Sequence, residues 1–440
     1  MKLSVALAFS ISLSPSIALV FHLEHLSLKP HTATWKASTF YTVADAVSLS
    51  SDPRSQISVD CQATSSSQGD YISVVVVNEE APSNWGCYSN GGFFTNESKI
   101  VDRVRFYPDE QGVLQVSEYI NIPKKGSYMV IIAYCPPASE TNFEPAVLEG
   151  IIRMHNPHGY LPADALGYQK VYGYIACLYA VASFIWILLV FFKNPGLVYI
   201  TQKAIAGGFV LSFCEMNLKY LLVHNANIYG TFSAGMSFLV VILGGLQLAS
   251  IMVILIFSSL GYEIITPAIV TYQNKISILA FLYFCGHAGT GIIFYLYNHG
   301  NVSFIGVVAE IPLALLNVYF IRWIYANINS AVMSNLQGQE EHMMTLLKRV
   351  LILVILFAVA WYPLSTYVIY TGHADTFWEH KFIIKCAWDI MYLLLQLSIA
   401  YIWAPSHLKT EAAYKRVANV INGDEFGDDE LTDIVSVKVR

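Results

Sequence analysis

Between residues 171 and 403 the chain is divided into seven apolar runs, each about as long as a helix that crosses a bilayer. The runs cover 172–192, 202–222, 234–257, 276–297, 303–324, 350–370 and 383–403. Hydrocarbon offers no partner to a backbone N–H or C=O, so such runs fold as helices that satisfy their own hydrogen bonds. Composition agrees: 55% of the 440 residues are hydrophobic and only 13% charged, about half the charged share of a soluble domain. That excludes a soluble cytosolic enzyme. A formal net charge of −6 with no basic patch excludes a nucleic-acid partner.

Ahead of the runs, Met1-Lys2, the apolar stretch Leu3 to Leu13 and the small-x-small triplet Ser16-Ile17-Ala18 read as a secretory signal peptide over residues 1–18. Residues 19–160 then enter the lumen of the secretory pathway. Their short β-branched stretches, 71–77, 113–120, 127–134 and 146–154, are separated by Gly, Asn, Asp and Pro, which predicts an all-β sandwich. Asn96-Glu97-Ser98 is a glycan acceptor; Asn301-Val302-Ser303 has the same pattern but lies against a membrane edge. Cys61, Cys87 and Cys135 allow one disulfide in an oxidising lumen, with one thiol left over and all three pairings open. Cys177, Cys214, Cys285 and Cys386 lie in or beside apolar runs and read as packing residues.

Nothing in the chain marks catalysis. There is no G-x-S-x-G, no H-E-x-x-H, no CxxC and no phosphate-cradling glycine loop. His22, His25 and His31 are scattered along an N-terminal stretch and are expected to be solvated. The expectation is therefore no enzyme, no metal and no cofactor.

Seven spans after a luminal domain put the C-terminus in the cytosol. The positive-inside bias agrees, since Lys193, Lys203, Lys275, Arg322, Lys348, Arg349, Lys409, Lys415 and Arg416 fall on that side. Ionisable residues inside spans are costly and normally face protein or water. Glu215 and Lys219 stand four apart on one face of the second span, with Glu N-terminal to Lys, the better order for an ion pair. Glu310 in the fifth span, with Lys385 and Asp389 in the seventh, reaches the same luminal half, and His287 and Gln247 lie nearer mid-depth. The shared depth predicts a polar cavity open to the lumen; interhelical ion pairs that fix packing are the alternative. Gly244-Gly245, Gly286, Gly289 and Gly291 predict close helix contacts.

Rhodopsin-type signals are missing. The third span ends Ser259-Leu260-Gly261-Tyr262-Glu263, without an acidic-Arg-Tyr triplet, and the seventh has Trp388-Asp389-Ile390-Met391-Tyr392 without Asn-Pro-x-x-Tyr. Only Trp361-Tyr362-Pro363 looks like the Trp-x-Pro of that family. Instead, Asn156-Pro157-His158-Gly159-Tyr160-Leu161-Pro162-Ala163 before the first span, Ser259 to Pro267 after the third, Ile311 to Leu316 with Trp323 in the fifth, and Trp403-Ala404-Pro405-Ser406 after the seventh form one set in order. Together they resemble the lung seven-transmembrane receptor (GOST) family, most closely its transmembrane-protein-87-like branch. Ala404 stands where that branch has arginine. The resemblance implies a luminal GOLD-like β-sandwich at 19–160 on a helical bundle at 171–403. It also implies Golgi residence and a role in membrane-protein trafficking, with a lipid-accommodating cavity in the bundle and cargo recognition by the sandwich. Glu215, Lys219, His287, Glu310, Trp388 and Asp389 are its expected lining.

The cytosolic face offers a polar loop, Asn327 to Thr345, and an acidic tail at 406–440 in which Phe426 and Leu431 interrupt the charges. The tail is a candidate for docking a sorting adaptor, or a solubilising segment. Two other function classes stay open: a signalling receptor for an extracellular ligand, and a cation channel or transporter.

Overall fold

The computed structural model describes residues 20–28, 39–42, 47–49, 55–64, 72–78, 86–87, 93–94, 100–106, 113–122, 126–134, 146–162, 165–192, 199–261, 270–297, 303–333, 339–370 and 381–404. The signal peptide, His31, Asn96, Cys135, Asn301 and the acidic tail lie outside them.

The N-terminal half is β-rich. Strands β1 (Val20–Leu28), β4 (Gln56–Thr64), β9 (Val113–Asn121) and β11 (Ala146–His155) form one antiparallel sheet in the order β1-β11-β4-β9. A second contains β2 (Thr39–Thr42), β10 (Gly126–Tyr134), β5 (Ile72–Asn78) and β8 (Ile100–Phe106) in the order β2-β10-β5-β8, and β3 (Val47–Leu49) also pairs with β10. A short pair, β6 (Gly86–Cys87) and β7 (Phe93–Phe94), completes the described strands. Along β4 the pattern has period two: Ile57, Val59, Cys61 and Ala63 are buried, while Asp60 and Gln62 between them are exposed. Opposite them, Leu148, Ile152 and Met154 of β11 and Ile120 of β9 are equally buried.

Two features bear on the sequence reading. His22 and His25 belong to β1, which lies along β11 at the end of its sheet's strand order. Cys61 is a free, buried thiol. It sits opposite Gly150, whose φ of +152° and close approach to the Cys61 backbone leave no room for a Cβ. Cys87 is described only in its backbone, so a Cys87–Cys135 bond lies outside the described residues.

Seven helices follow among the described residues: α1 (Leu166–Ile187, continued by a π-helical turn to Phe192), α2 (Ile200–Tyr229), α3 (Ala234–Leu260), α4 (Val270–Tyr297), α5 (Ser303–Met333), α6 (Gln339–Tyr370) and α7 (Lys381–Ile402). All seven are long and apolar enough to cross a membrane. Large apolar side chains such as Phe184, Leu315, Leu353 and Val359 are exposed on the outside of the bundle, as a hydrocarbon solvent allows. α3 is central and packs on α2, α4, α5, α6 and α7; α7 also touches α1, α2 and α6.

Several helices run past their apolar runs. The polar segment 327–345 is largely helical: α5 continues to Met333 and α6 starts at Gln339. Met343, Met344 and Leu347 bury one face of this extension in the same core as Ile328, and Lys348 Nζ donates to Asn329 Oδ1 (3.0 Å). Amphipathic spacing outside the bilayer keeps the helix going where polarity alone suggested a loop. Of the small-residue contacts, Gly245 packs against Phe284 and Ala288, and Gly286 against Leu313, whereas Gly289 faces open space.

Candidate functional site

The inner face of α2 is built from polar residues at helical spacing. Thr201, Gln202, Ser212, Glu215 and Lys219 are each at most 2% exposed. Lys219 Nζ lies 2.6 Å from Glu215 Oε1 one turn away and 3.0 Å from Asp389 Oδ1 of α7. The same ammonium stands 5.5 Å from the ring centre of Tyr172 in α1. Three helices thus meet at one cation. Glu215 Oε2 and Asp389 Oδ2 are buried without a hydrogen-bond partner among the described residues.

Desolvating each ion costs several kcal/mol, so two carboxylates are tolerable here only because one ammonium bridges them. With all three groups ionised the triad carries a formal charge of −1, and the two spare oxygens are where a proton or a second cation would be held.

Below the triad, away from the sandwich, Ser212 Oγ accepts hydrogen bonds from Gln396 Nε2 of α7 (3.0 Å) and Gln247 Nε2 of α3 (3.2 Å). At the far end of α2, Gln202 Oε1 accepts from the Tyr199 N–H, and its Nε2 donates to the Trp403 carbonyl (3.0 Å). Trp186 Nε1 donates to the Gln202 carbonyl (3.1 Å). Between these layers Ile205 and Phe209 fill the space, and Gly208 abuts Ile254. The half of the bundle away from the sandwich therefore carries buried polar groups at Thr201 and Gln202.

Three of the six expected lining residues, Glu215, Lys219 and Asp389, come together. Trp388 sits edge-on to Phe357 and tilted to Tyr392, in an aromatic group that includes Trp361. His287 is fully buried and packs edge-on to Tyr283 (ring centres 4.5 Å apart); neither ring nitrogen has a partner among the described residues. Tyr283 in turn donates to Asn317 Oδ1 of α5 (2.8 Å). The backbone of Glu310 lies in α5; its side chain lies outside the described residues. Sequence reasoning missed Ser212, Gln396 and Gln202. The signal was there in the i, i+3, i+7 spacing of Ser212, Glu215 and Lys219, and in the i, i+7 spacing of Asp389 and Gln396.

The helix that carries Glu215 and Lys219 also holds the sandwich. Asn156 and Gly159 exchange backbone hydrogen bonds just after β11. Asn227, in the last turn of α2, accepts from the Tyr160 N–H through its carbonyl (2.9 Å) and from the Leu161 N–H through Oδ1 (3.0 Å). Its Nδ2 donates to the His158 carbonyl (2.8 Å). A helix C-terminus leaves carbonyls without partners, and this turn supplies one. Gly159, at φ +128°, lies against Asn227 where a Cβ would collide. His158 Nε2 donates to the Leu161 carbonyl (2.9 Å). Burial holds the His158 proton affinity below its ordinary value; that hydrogen bond opposes the shift, and the charges of His155 and Lys170 add to it.

Among the described residues no group of three His, Cys, Asp or Glu side chains is placed to hold a metal ion. In comparisons with known proteins, residues 168–410 match the model of the GOST seven transmembrane domain. The chain is similar to Transmembrane protein 87B of mouse and of human, each 20% identical over 330 residues that cover 73% of this chain and 58% of the relative. It is also similar to Transmembrane protein 87A of Xenopus tropicalis, 22% identical over 260 residues, 58% of this chain and 47% of the relative. The chain thus spans about half the length of the curated relatives it matches.

Proposed function

The chain belongs to the GOST family of seven-transmembrane proteins, and on that premise we propose that it works in Golgi and endosomal membranes as a non-enzymatic carrier in membrane-protein trafficking. In this reading a signal peptide delivers the sandwich to the lumen, where it recognises a cargo protein. The bundle accommodates a membrane lipid, and the cytosolic tail meets a sorting adaptor. The observation that carries the proposal is the Asn227 clamp. It ties the domain suited to recognition to α2, the helix whose Glu215 and Lys219 form the buried triad with Asp389. A cargo that tilts the sandwich would load this helix directly.

The test is location followed by loss. The C-terminally tagged protein is imaged in its own cells beside Golgi and plasma-membrane markers, and cargo delivery is followed after depletion. Steady Golgi signal with delayed delivery supports trafficking. Steady surface residence with normal delivery overturns it and favours a signalling receptor.

A second reading, cation or proton conduction, is favoured by the polar groups that follow α2 from Lys219 to Thr201. Reconstituted bilayers test it: currents that disappear with Glu215→Gln support conduction, and no current in the unaltered protein removes it.

A further inference from the structure

The outer faces of α1 and α2 enclose a groove of about 610 Å³ on the half of the bundle nearer the sandwich. That volume is within the roughly 300–1,000 Å³ of small-ligand sites. The groove is graded in polarity along its length. At the sandwich end stand Lys170, exposed in the first turns of α1, and Gln169, whose Nε2 donates to His224 Nδ1 (2.9 Å). Deeper in the bilayer the α1 wall consists of the small residues Gly173, Ala176, Cys177 and Ala180, with Tyr174 the one large side chain on it. A Cβ at Gly173 would press on the Tyr220 ring of α2, which lines the opposite wall with Phe213.

One residue does not belong on a wall that faces only hydrocarbon tails. Asn217 is exposed in the groove, about 18 Å along α2 from its sandwich end, and its amide has no hydrogen-bond partner among the described residues. An unpartnered amide facing lipid is costly. A cation at the interface, a smooth apolar channel below it and an amide part-way down are complementary to an amphiphile with a phosphate head, a carbonyl linkage and an acyl tail.

We propose that this groove is a specific site for one phospholipid of the leaflet on the sandwich side. The phosphate is at Lys170, a linkage carbonyl accepts from the Asn217 amide, and one acyl chain lies along Gly173, Cys177 and Ala180. The site is on the outside of the bundle, separate from the triad, and does not depend on the trafficking reading.

The full chain, reconstituted in phosphatidylcholine vesicles doped with phosphatidylserine or phosphatidylcholine carrying an acyl-chain diazirine, is irradiated and its cross-linked peptides are mapped. Cross-links are expected to concentrate on 173–180 and 213–220, with phosphatidylserine favoured over phosphatidylcholine. Cys177→Trp, a substitution at an exposed position, fills the channel and removes those cross-links while leaving the lipid-facing residues of α5 and α6 labelled as before. Lys170→Glu lowers the preference for phosphatidylserine about fivefold. Labelling spread evenly over all outer faces, or undiminished in folded Cys177→Trp, overturns the site. If Cys177→Trp does not fold, the lipid preference of Lys170→Glu decides: lost preference supports the headgroup assignment, and unchanged preference overturns it.

Discussion

Lys219 neutralises two carboxylates on different helices, so substitutions at the three positions are not equivalent. Lys219→Met leaves Glu215 and Asp389 facing each other without a cation, and stranding buried charge in this way costs about 3–5 kcal/mol. Asp389→Asn keeps an oxygen acceptor for Lys219 and removes the excess negative charge, so it is expected to cost much less. Unfolding midpoints of the two purified variants in detergent check this; equal losses would mean that the triad is not held by charge. Cys61 makes a separate prediction. Burial, with the neighbouring Asp60 carboxylate, pushes its thiol up to about 12, so thiolate is scarce at neutral pH. It should resist alkylation in the folded protein and react only on unfolding, as read by mass spectrometry.

Among the elements, the turn after β11 is held to α2 by Asn227, through its backbone carbonyl and both ends of its side-chain amide. Asn227→Leu orphans the Leu161 N–H and the His158 carbonyl, at about 1–3 kcal/mol for each buried group left unpaired. It should make the 156–165 segment sensitive to limited proteolysis while the seven helices stay intact. The same turn predicts a pH dependence. Because burial lowers the proton affinity of His158, the folded state binds fewer protons than the unfolded one as the imidazole titrates. Its contribution is fully present above the unfolded value of about 6.5 and is lost as the pH falls through it towards the lower folded value. The unfolding midpoint of the sandwich should therefore drop as the pH falls below about 6.5, and His158→Gln should flatten that drop. The turn's importance was legible in the sequence only as a resemblance. Its mechanics were not, because Asn227 lies 69 residues from His158 and carries no local pattern that marks it as a partner.

At the scale of the whole molecule, the proposed orientation predicts a glycan on one side of the membrane and the tail on the other. Asn96→Gln should remove an endoglycosidase-sensitive mobility shift, while a C-terminal tag in sealed microsomes stays open to added protease. A protected tag would reverse the topology. Seven spans and a β-rich N-terminal half could be read from sequence because partition into hydrocarbon and strand alternation act nearly residue by residue. Depth could be read as well, since it comes from counting along each span. It put Glu215, Lys219 and Asp389 at similar heights without saying which way each side chain turns. Packing decided that: α7 sits between α1, α2 and α6, which brings Asp389 to Lys219 across 170 residues of chain and turns Trp388, its neighbour, towards Phe357. It also turned a polar loop into the ends of two helices, because Met343, Met344 and Leu347 share a core with Ile328, and it paired the N-terminal stretch with β11 as β1. Solvent preference is written locally, so the spans and the strands are legible residue by residue. Which surfaces meet depends on the shapes of all seven helices at once, and no local pattern carries that information.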